Sequence, residues 1–140
     1  MSYNILIVDD SKSMRKVISK VLQASGFQVG TLMEAENGQE ALGVLEKEWV
    51  DIILSDIHMP IMNGVEFLRV LKDQEELKEL PIVFITTESN EERVNEIMSL
   101  GANGYIRKPF RPEDIRSLLS KIMGEGNGEG MAADDEKCDF

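Results

Sequence analysis

The sequence predicts an α/β domain built on a buried parallel sheet, and two regularities of the chain indicate it. Short apolar runs alternate five times with segments whose apolar residues recur at helical spacing. The runs are apolar at consecutive positions, which is typical of strands that are covered on both faces. Because helices must supply that cover, we expect five strand–helix units.

The five predicted strands differ in how clearly the residues indicate them. The third run is dense in β-branched residues, whereas the second has a weaker pattern and ends before the turn signal at Asn37-Gly38. The predicted strands are residues 4–8 (NILIV), 29–35, 50–55 (VDIILS), 81–86 (PIVFIT) and 104–106 (GYI).

A helical segment follows each strand. The first has Gly26 at its C-terminal cap, and its apolar face consists of Met14, Val17, Ile18, Val21 and Leu22. The later helices are predicted around residues 41–45, over 65–72, up to Leu100-Gly101, and over 111–123 with Pro112 near the start. We expect Trp49, at a helix–strand boundary, to be a packing residue.

Length, charge and cysteine content limit the kind of protein. A chain of 140 residues is about the size of one domain, and we assign residues 1–123 to it. Residues 124–140 contain four glycines and six acidic residues, so we expect an acidic, disordered tail. The net charge of −11 argues against nucleic acid and membrane partners. A lone cysteine, Cys138, and the lack of a signal or membrane-length run predict a cytoplasmic protein.

Polar side chains collect at the carboxyl ends of the predicted strands, the edge at which open parallel sheets bind their ligands. At the ends of the first, third, fourth and fifth strands stand Asp9-Asp10, Asp56, Thr86-Thr87 and Lys108. Three clustered carboxylates repel one another, and a hard divalent cation with oxygen ligands would offset that repulsion. The sequence therefore predicts a Mg²⁺ site at this edge.

Asp56 is the candidate nucleophile, because it stands alone at the end of the central strand and a loop follows it. A carboxylate can attack phosphorus and form an aspartyl phosphate. Lys108 and the Thr86 hydroxyl would then contact phosphoryl oxygens. Taken singly, an aspartate here can be a helix cap and a threonine can reflect β-propensity. Their combination at successive strand ends predicts phosphoryl transfer.

These residues resemble the receiver domain of two-component response regulators, of the single-domain CheY-like type. The resemblance covers residues 4–123 and rests on VDD, LSDIHMPIMNG, LPIVFITTE and GANGYIRKPF. It implies a (βα)5 doubly wound fold whose five-stranded parallel sheet has the order 2-1-3-4-5. It also implies that Asp56 accepts a phosphoryl group from a histidine of a partner kinase.

The resemblance further implies a role for each acidic residue. Asp10 and Asp56 would bind Mg²⁺ directly, and Asp9 would help through a water molecule. The backbone carbonyl of His58 would be a third protein ligand.

A switch pair is implied in the same way. Thr86 would move towards the phosphoryl group, and the Tyr105 ring would turn inward behind it. The bond between Lys108 and Pro109 is one that family members often hold in cis.

Three positions near the site vary within the family. Thr87 stands where many members carry a small residue such as alanine, and we hypothesise that its bulk slows phosphoryl exchange. His58 and Glu88 occupy flanking positions whose identity tunes the lifetime of the phosphoryl group.

The sequence is compatible with three functions. The first is a phosphorylation-controlled binding switch, whose unknown target binds the face of helix 4, strand 5 and helix 5, with chemotaxis as a family-level expectation. The second is a phosphate sink for a shared kinase. The third, a phosphohydrolase with an aspartate nucleophile, needs a second acid where His58 stands.

The expected partners follow from the first of these functions. They are a histidine kinase or phosphotransfer protein, the target, and a phosphatase. We expect a monomer that is no enzyme beyond its own phosphorylation and dephosphorylation.

Overall fold

The structure, a computed structural model, describes residues 2–124. The strands are β1 (Tyr3–Val8), β2 (Val29–Ala35), β3 (Ile52–Ser55), β4 (Ile82–Thr86) and β5 (Gly104–Arg107). The helices are α1 (Lys12–Ser25), α2 (Gly38–Lys47), α3 (Gly64–Lys72), α4 (Glu91–Ser99) and α5 (Pro112–Met123). The expected tail, including Cys138, lies outside the described residues from position 125 onward.

The five strands form one parallel sheet in the order β2-β1-β3-β4-β5, as the resemblance implied. Val8, the last residue of β1, is in register with Ser55, the last residue of β3. The two central strands therefore end side by side. Asp9 and Asp56, which follow them, become neighbours although they are far apart in the sequence.

Helices cover both faces of the sheet. One face packs against α1 and α5 through Ile18, Leu22, Ile115 and Leu119. The other face packs against α2, α3 and α4, and its core includes Ala41, Phe67, Leu68 and Ile97. Every residue of β3 and β4 is buried, which explains their consecutive apolar runs. None of the helices within residues 2–124 is long and apolar enough to cross a membrane.

Helix α1 packs most of the predicted face against the core, and Val17 is the exception. Its buried residues include Arg15, Ile18 and Leu22, whereas Val17 is exposed, so the prediction for Val17 is wrong. Arg15 turns inward because its guanidinium binds the Asp9 carbonyl. Residues two positions apart on a helix point to nearly opposite sides, so Val17 then faces outward. The helix ends at Gly26, whose φ of 84° is the left-handed cap predicted there.

The prediction that Trp49 is a packing residue is also wrong, because 76% of its surface is exposed. Its indole N–H donates to Asp51 Oδ1 at 2.9 Å. The other carboxylate oxygen of Asp51 accepts the Asn4 N–H at 2.8 Å. These bonds hold Trp49 on the surface at the amino edge of the sheet, opposite the ends of β1 and β3.

The loop of residues 57–63 is fastened where it meets α3. The Gly64 N–H donates to the Ile57 carbonyl at 2.7 Å. A Cβ atom at Gly64 would lie 2.7 Å from the Asp56 carbonyl oxygen, so this close approach needs glycine. At the tip, Ile61 has φ 67° and is 77% exposed, and the Met62 N–H donates to the Pro60 carbonyl across it. This is a γ-turn of the rare, strained kind.

Candidate functional site

Three carboxylates meet at the carboxyl edge of the sheet, as predicted. Asp9 and Asp10 follow β1, and Asp56 follows β3. One carboxylate oxygen from each lies within 4.8 Å of the others. Asp9 is buried, Asp56 is partly buried and Asp10 is exposed, so the cluster opens to solvent on one side.

Lys108 is the cation of this cluster. Its Nζ lies 3.3 Å from Asp9 Oδ2 and 3.6 Å from Asp56 Oδ2. The side chain is only 11% exposed. Its backbone N–H donates to the Thr86 carbonyl at 2.8 Å, and the Lys108–Pro109 bond is cis. The structure thus brings together Asp56, the candidate nucleophile, and the Lys108 ammonium, as predicted.

The arrangement suits a divalent cation. With all four groups ionised, three carboxylates face one ammonium, which leaves two negative charges uncompensated in a small space. Carboxylate oxygens are ligands that Mg²⁺ prefers, and it commonly keeps several waters beside one or two of them. Asp9, Asp10 and Asp56 therefore fit the predicted Mg²⁺ site, and the open side leaves room for waters.

Thr86 and Tyr105, the predicted switch pair, lie on adjacent strands. Tyr105 is in register with Phe84, and Phe84 and Thr86 share one face of β4, so both switch residues lie on that face. Thr86 is fully buried, and its Oγ1 accepts the Glu88 N–H at 3.1 Å. The Tyr105 ring is partly exposed at the end of the sheet where β5 has no further neighbour.

His58 and Glu88 make a direct contact between the loops that follow β3 and β4. His58 Nε2 lies 2.7 Å from Glu88 Oε1. Glu88 Oε2 accepts the Asn90 N–H at 2.9 Å. The hydrogen bond with His58 first, and that from Asn90 second, hold the pKa of the Glu88 carboxyl below its ordinary value. Both residues were expected beside the site, but their spacing in the sequence does not indicate this contact.

Arg15 is the site residue that the sequence analysis missed altogether. Its guanidinium donates to the backbone carbonyl of Asp9 at 2.6 Å. A usable signal was present, because Arg15, Ile18 and Leu22 share the spacing of one helical face. A charged residue in line with core residues indicates a buried partner.

Comparisons with known proteins agree with this geometry. The family model described as "Response regulator receiver domain" matches residues 5–120. A chemotaxis protein CheY homolog of Campylobacter jejuni is 37% identical over 129 residues, which cover 91% of this chain and 98% of that protein. The solved structure of the chemotaxis response regulator CheY4 of Vibrio cholerae is 36% identical with a TM-score of 0.73, and the match covers 90% of this chain and all of that one.

A third relative has a metal in the corresponding fold. The receiver domain of the sensor histidine kinase PA1611 from Pseudomonas aeruginosa was solved with a magnesium ion coordinated in its active site cleft. It is 25% identical with a TM-score of 0.77, and the match covers 89% of this chain and 99% of that one. The chain belongs to the response regulator receiver domain family.

Proposed function

We propose that the chain is a phosphorylation-controlled switch in which Asp56 accepts a phosphoryl group from a phosphohistidine of a partner kinase. The observation that carries the proposal is the meeting of Asp9, Asp10 and Asp56 within 4.8 Å, with Lys108 between two of them. In the transfer, an Asp56 carboxylate oxygen forms a bond to phosphorus. The bond from phosphorus to the imidazole nitrogen breaks, and its electron pair stays on that nitrogen.

The residues of this chain would divide the work of the transfer. Asp10 and Asp56 would hold Mg²⁺, with the His58 carbonyl as a further ligand and Asp9 acting through water. When bound, the metal would neutralise phosphoryl oxygens. Lys108 already lies close to Asp56, so its ammonium is placed to stabilise charge that develops on the phosphoryl group.

The switch would use the Thr86 hydroxyl and the Tyr105 ring. Thr86 would leave the Glu88 N–H and bind a phosphoryl oxygen. The Tyr105 ring, now partly exposed, would turn inward and change the surface formed by α4, β5 and α5. Met98 is exposed on α4 and Tyr105 on β5, so two of the elements that form this surface carry exposed apolar side chains. The CheY names of the relatives support chemotaxis as the pathway.

The proposal excludes a phosphohydrolase. Such an enzyme needs an acid two residues after its nucleophile to protonate the leaving group, and here His58 occupies that position and contacts Glu88. The chain would act in the cytoplasm as a monomer and would catalyse no reaction beyond its own phosphorylation and dephosphorylation.

The test is mass spectrometry of the intact protein after incubation with acetyl phosphate, with and without Mg²⁺. We expect a Mg²⁺-dependent gain of one phosphoryl group in the wild type and in Asp51→Ala. Asp56→Ala should gain none. A gain that survives in Asp56→Ala would overturn the proposal. No gain in the wild type would mean a silent receiver, or one that accepts the phosphoryl group from its kinase alone.

A pull-down with and without a phosphoryl mimic then separates a switch from a phosphate sink. A switch changes its affinity for a target when the mimic is bound. A sink binds no target in either state.

A further inference from the structure

Arg15 is a buried cation close to the candidate metal site, with a role that the proposed chemistry does not use. It is 7% exposed, and charged side chains are rarely buried without partners. Its guanidinium donates in two directions, to the Asp9 carbonyl and, through Nε, to Glu34 Oε1, each at 2.6 Å. The planar guanidinium is suited to such a fixed two-way bridge.

The bridge fixes the peptide that joins two of the three carboxylates. The carbonyl of Asp9 and the N–H of Asp10 belong to one planar peptide unit. Holding the carbonyl therefore restricts the direction in which the chain leaves Asp9, and with it the place of the Asp10 side chain. Within residues 2–124 the Asp10 carboxylate has no hydrogen-bond or ion-pair partner, so its position depends on its backbone.

Asp9, by contrast, is held at each of its polar groups. Its N–H donates to the Ala35 carbonyl at 3.0 Å, and its Oδ1 accepts the Ser11 N–H at 2.9 Å. Its Oδ2 faces Lys108, and its carbonyl faces Arg15. If Lys108 leaves Asp9 and contacts a phosphoryl group instead, Asp9 keeps its contact with the Arg15 guanidinium.

Charge alone does not account for Arg15. Its positive charge is balanced by Glu34, so the pair adds little net field at the acidic cluster. A bare positive charge beside a cation site would weaken cation binding. A residue that places the ligands would strengthen it. If Arg15 acts through its charge, removing it should raise the Mg²⁺ affinity. If Arg15 places the ligands, removing it should lower that affinity.

We propose that Arg15 is a positioning residue for the divalent-cation site: by holding the Asp9–Asp10 peptide it places the Asp10 carboxylate beside Asp9 and Asp56. The inference rests on the proposed Mg²⁺ binding. Arg15 would contact the backbone of a metal-binding segment and not the metal itself. Loss of such outer partners typically weakens metal affinity 10–100-fold.

The experiment is calorimetric titration of the full chain with MgCl₂, without any phosphoryl donor. Arg15→Met should weaken Mg²⁺ binding about tenfold. Lys16→Met removes the same charge from an exposed position of α1 and is the matched control. It should bind Mg²⁺ as tightly as the wild type or slightly more tightly.

One further variant keeps the test decisive if Arg15→Met folds poorly. Arg15→Lys retains the charge but lacks the two-way geometry of the guanidinium. It should weaken binding, by less than Arg15→Met. Thermal unfolding in EDTA, run in parallel, measures stability apart from metal affinity.

The outcomes separate the inference from the proposed function. Arg15 variants that unfold at lower temperature but bind Mg²⁺ like the wild type would overturn the positioning role. Tighter binding by Arg15→Met would overturn it too and leave Arg15 as a charge alone. Failure of the wild type to bind Mg²⁺ would overturn the metal site itself, together with this inference.

Discussion

Aspartates stand at both edges of the sheet, and their surroundings differ. At the amino edge, the two oxygens of Asp51 accept neutral N–H groups from Trp49 and Asn4. At the carboxyl edge, Asp9, Asp10 and Asp56 crowd together, and Lys108 pairs with Asp9 and Asp56. Asp51 is satisfied by the fold, whereas the carboxylates of the cluster repel one another. An aspartate at the end of a strand therefore indicates a metal or reaction site when its carboxylate lies close to other carboxylates.

The largest effect should come from removing the ammonium of the carboxyl edge. Lys108→Met should slow phosphorylation by acetyl phosphate about 100-fold, because one preorganised charge contact is lost. Asp51→Asn, at the amino edge, should leave the rate unchanged. Mass spectrometry over time gives the rates. A Lys108→Met rate within a few-fold of the wild type would contradict the expected difference between the two edges.

The carboxyl edge should also be less tolerant of added volume. Gly64→Ala should destabilise the protein by roughly 2 kcal/mol, because its Cβ would meet the backbone of Asp56 and Ile57 at 2.7 and 2.8 Å. Gly43→Ala, in α2 with no atom within 4 Å of its Cβ, should stabilise by about 0.5–1 kcal/mol. Urea denaturation measures both, and equal effects would contradict the prediction.

At the amino edge, the expected loss concerns stability alone. Asp51→Ala removes the acceptor of two hydrogen bonds and should cost about 1–2 kcal/mol in the free energy of unfolding. Mg²⁺ affinity should not change. Glu46→Ala, at an exposed position of α2, is the control and should have no measurable effect. A changed Mg²⁺ affinity in Asp51→Ala would remove the distinction between the edges.

A smaller effect is expected at Thr87, which is exposed beside the carboxyl edge. If its bulk hinders access, Thr87→Ala should speed phosphorylation and dephosphorylation about threefold, or roughly 0.7 kcal/mol in each barrier. Ser89→Ala, on the same loop, should change neither rate. Unchanged rates in Thr87→Ala would refute the hypothesis.

The smallest effect is a shift in one titration. His58→Ala removes the contact that contributes most to the lowered pKa of Glu88, so this pKa should rise towards its ordinary value. Because the folded-state pKa is lowered, the contact stabilises the fold above the ordinary glutamate pKa. That contribution is lost as pH falls through the lowered pKa. Carboxyl NMR of Glu88 measures the shift, and an unmoved titration would contradict it.

The sequence could predict the fold because each buried strand carries its own signal. The consecutive apolar residues of β1, β3 and β4 predicted a sheet covered on both faces, and the structure confirms it. Since parallel strands share a carboxyl edge, the clustering of Asp9, Asp56 and Lys108 followed from topology. The strand order came from the resemblance rather than from the pattern.

What the sequence could not predict depends on contacts between distant residues. Apolar spacing predicted Val17 inside and gave no place to Arg15, because Arg15 is charged and its partners, Asp9 and Glu34, lie outside the helix. Trp49 was expected to be a packing residue because it lies at a helix–strand boundary. Its bond to Asp51, which keeps it outside, has no signature in spacing.

Trp49 has one more consequence, for spectroscopy. It is the sole tryptophan of the chain, and it lies seven residues before Asp56, across the length of β3, about 20 Å away. An exposed indole of this kind emits at long wavelength and is open to soluble quenchers. We expect its emission to respond to changes at the amino edge and not to a ligand that binds at the carboxyl edge. Trp49 fluorescence can therefore serve as an internal control in binding experiments on the site.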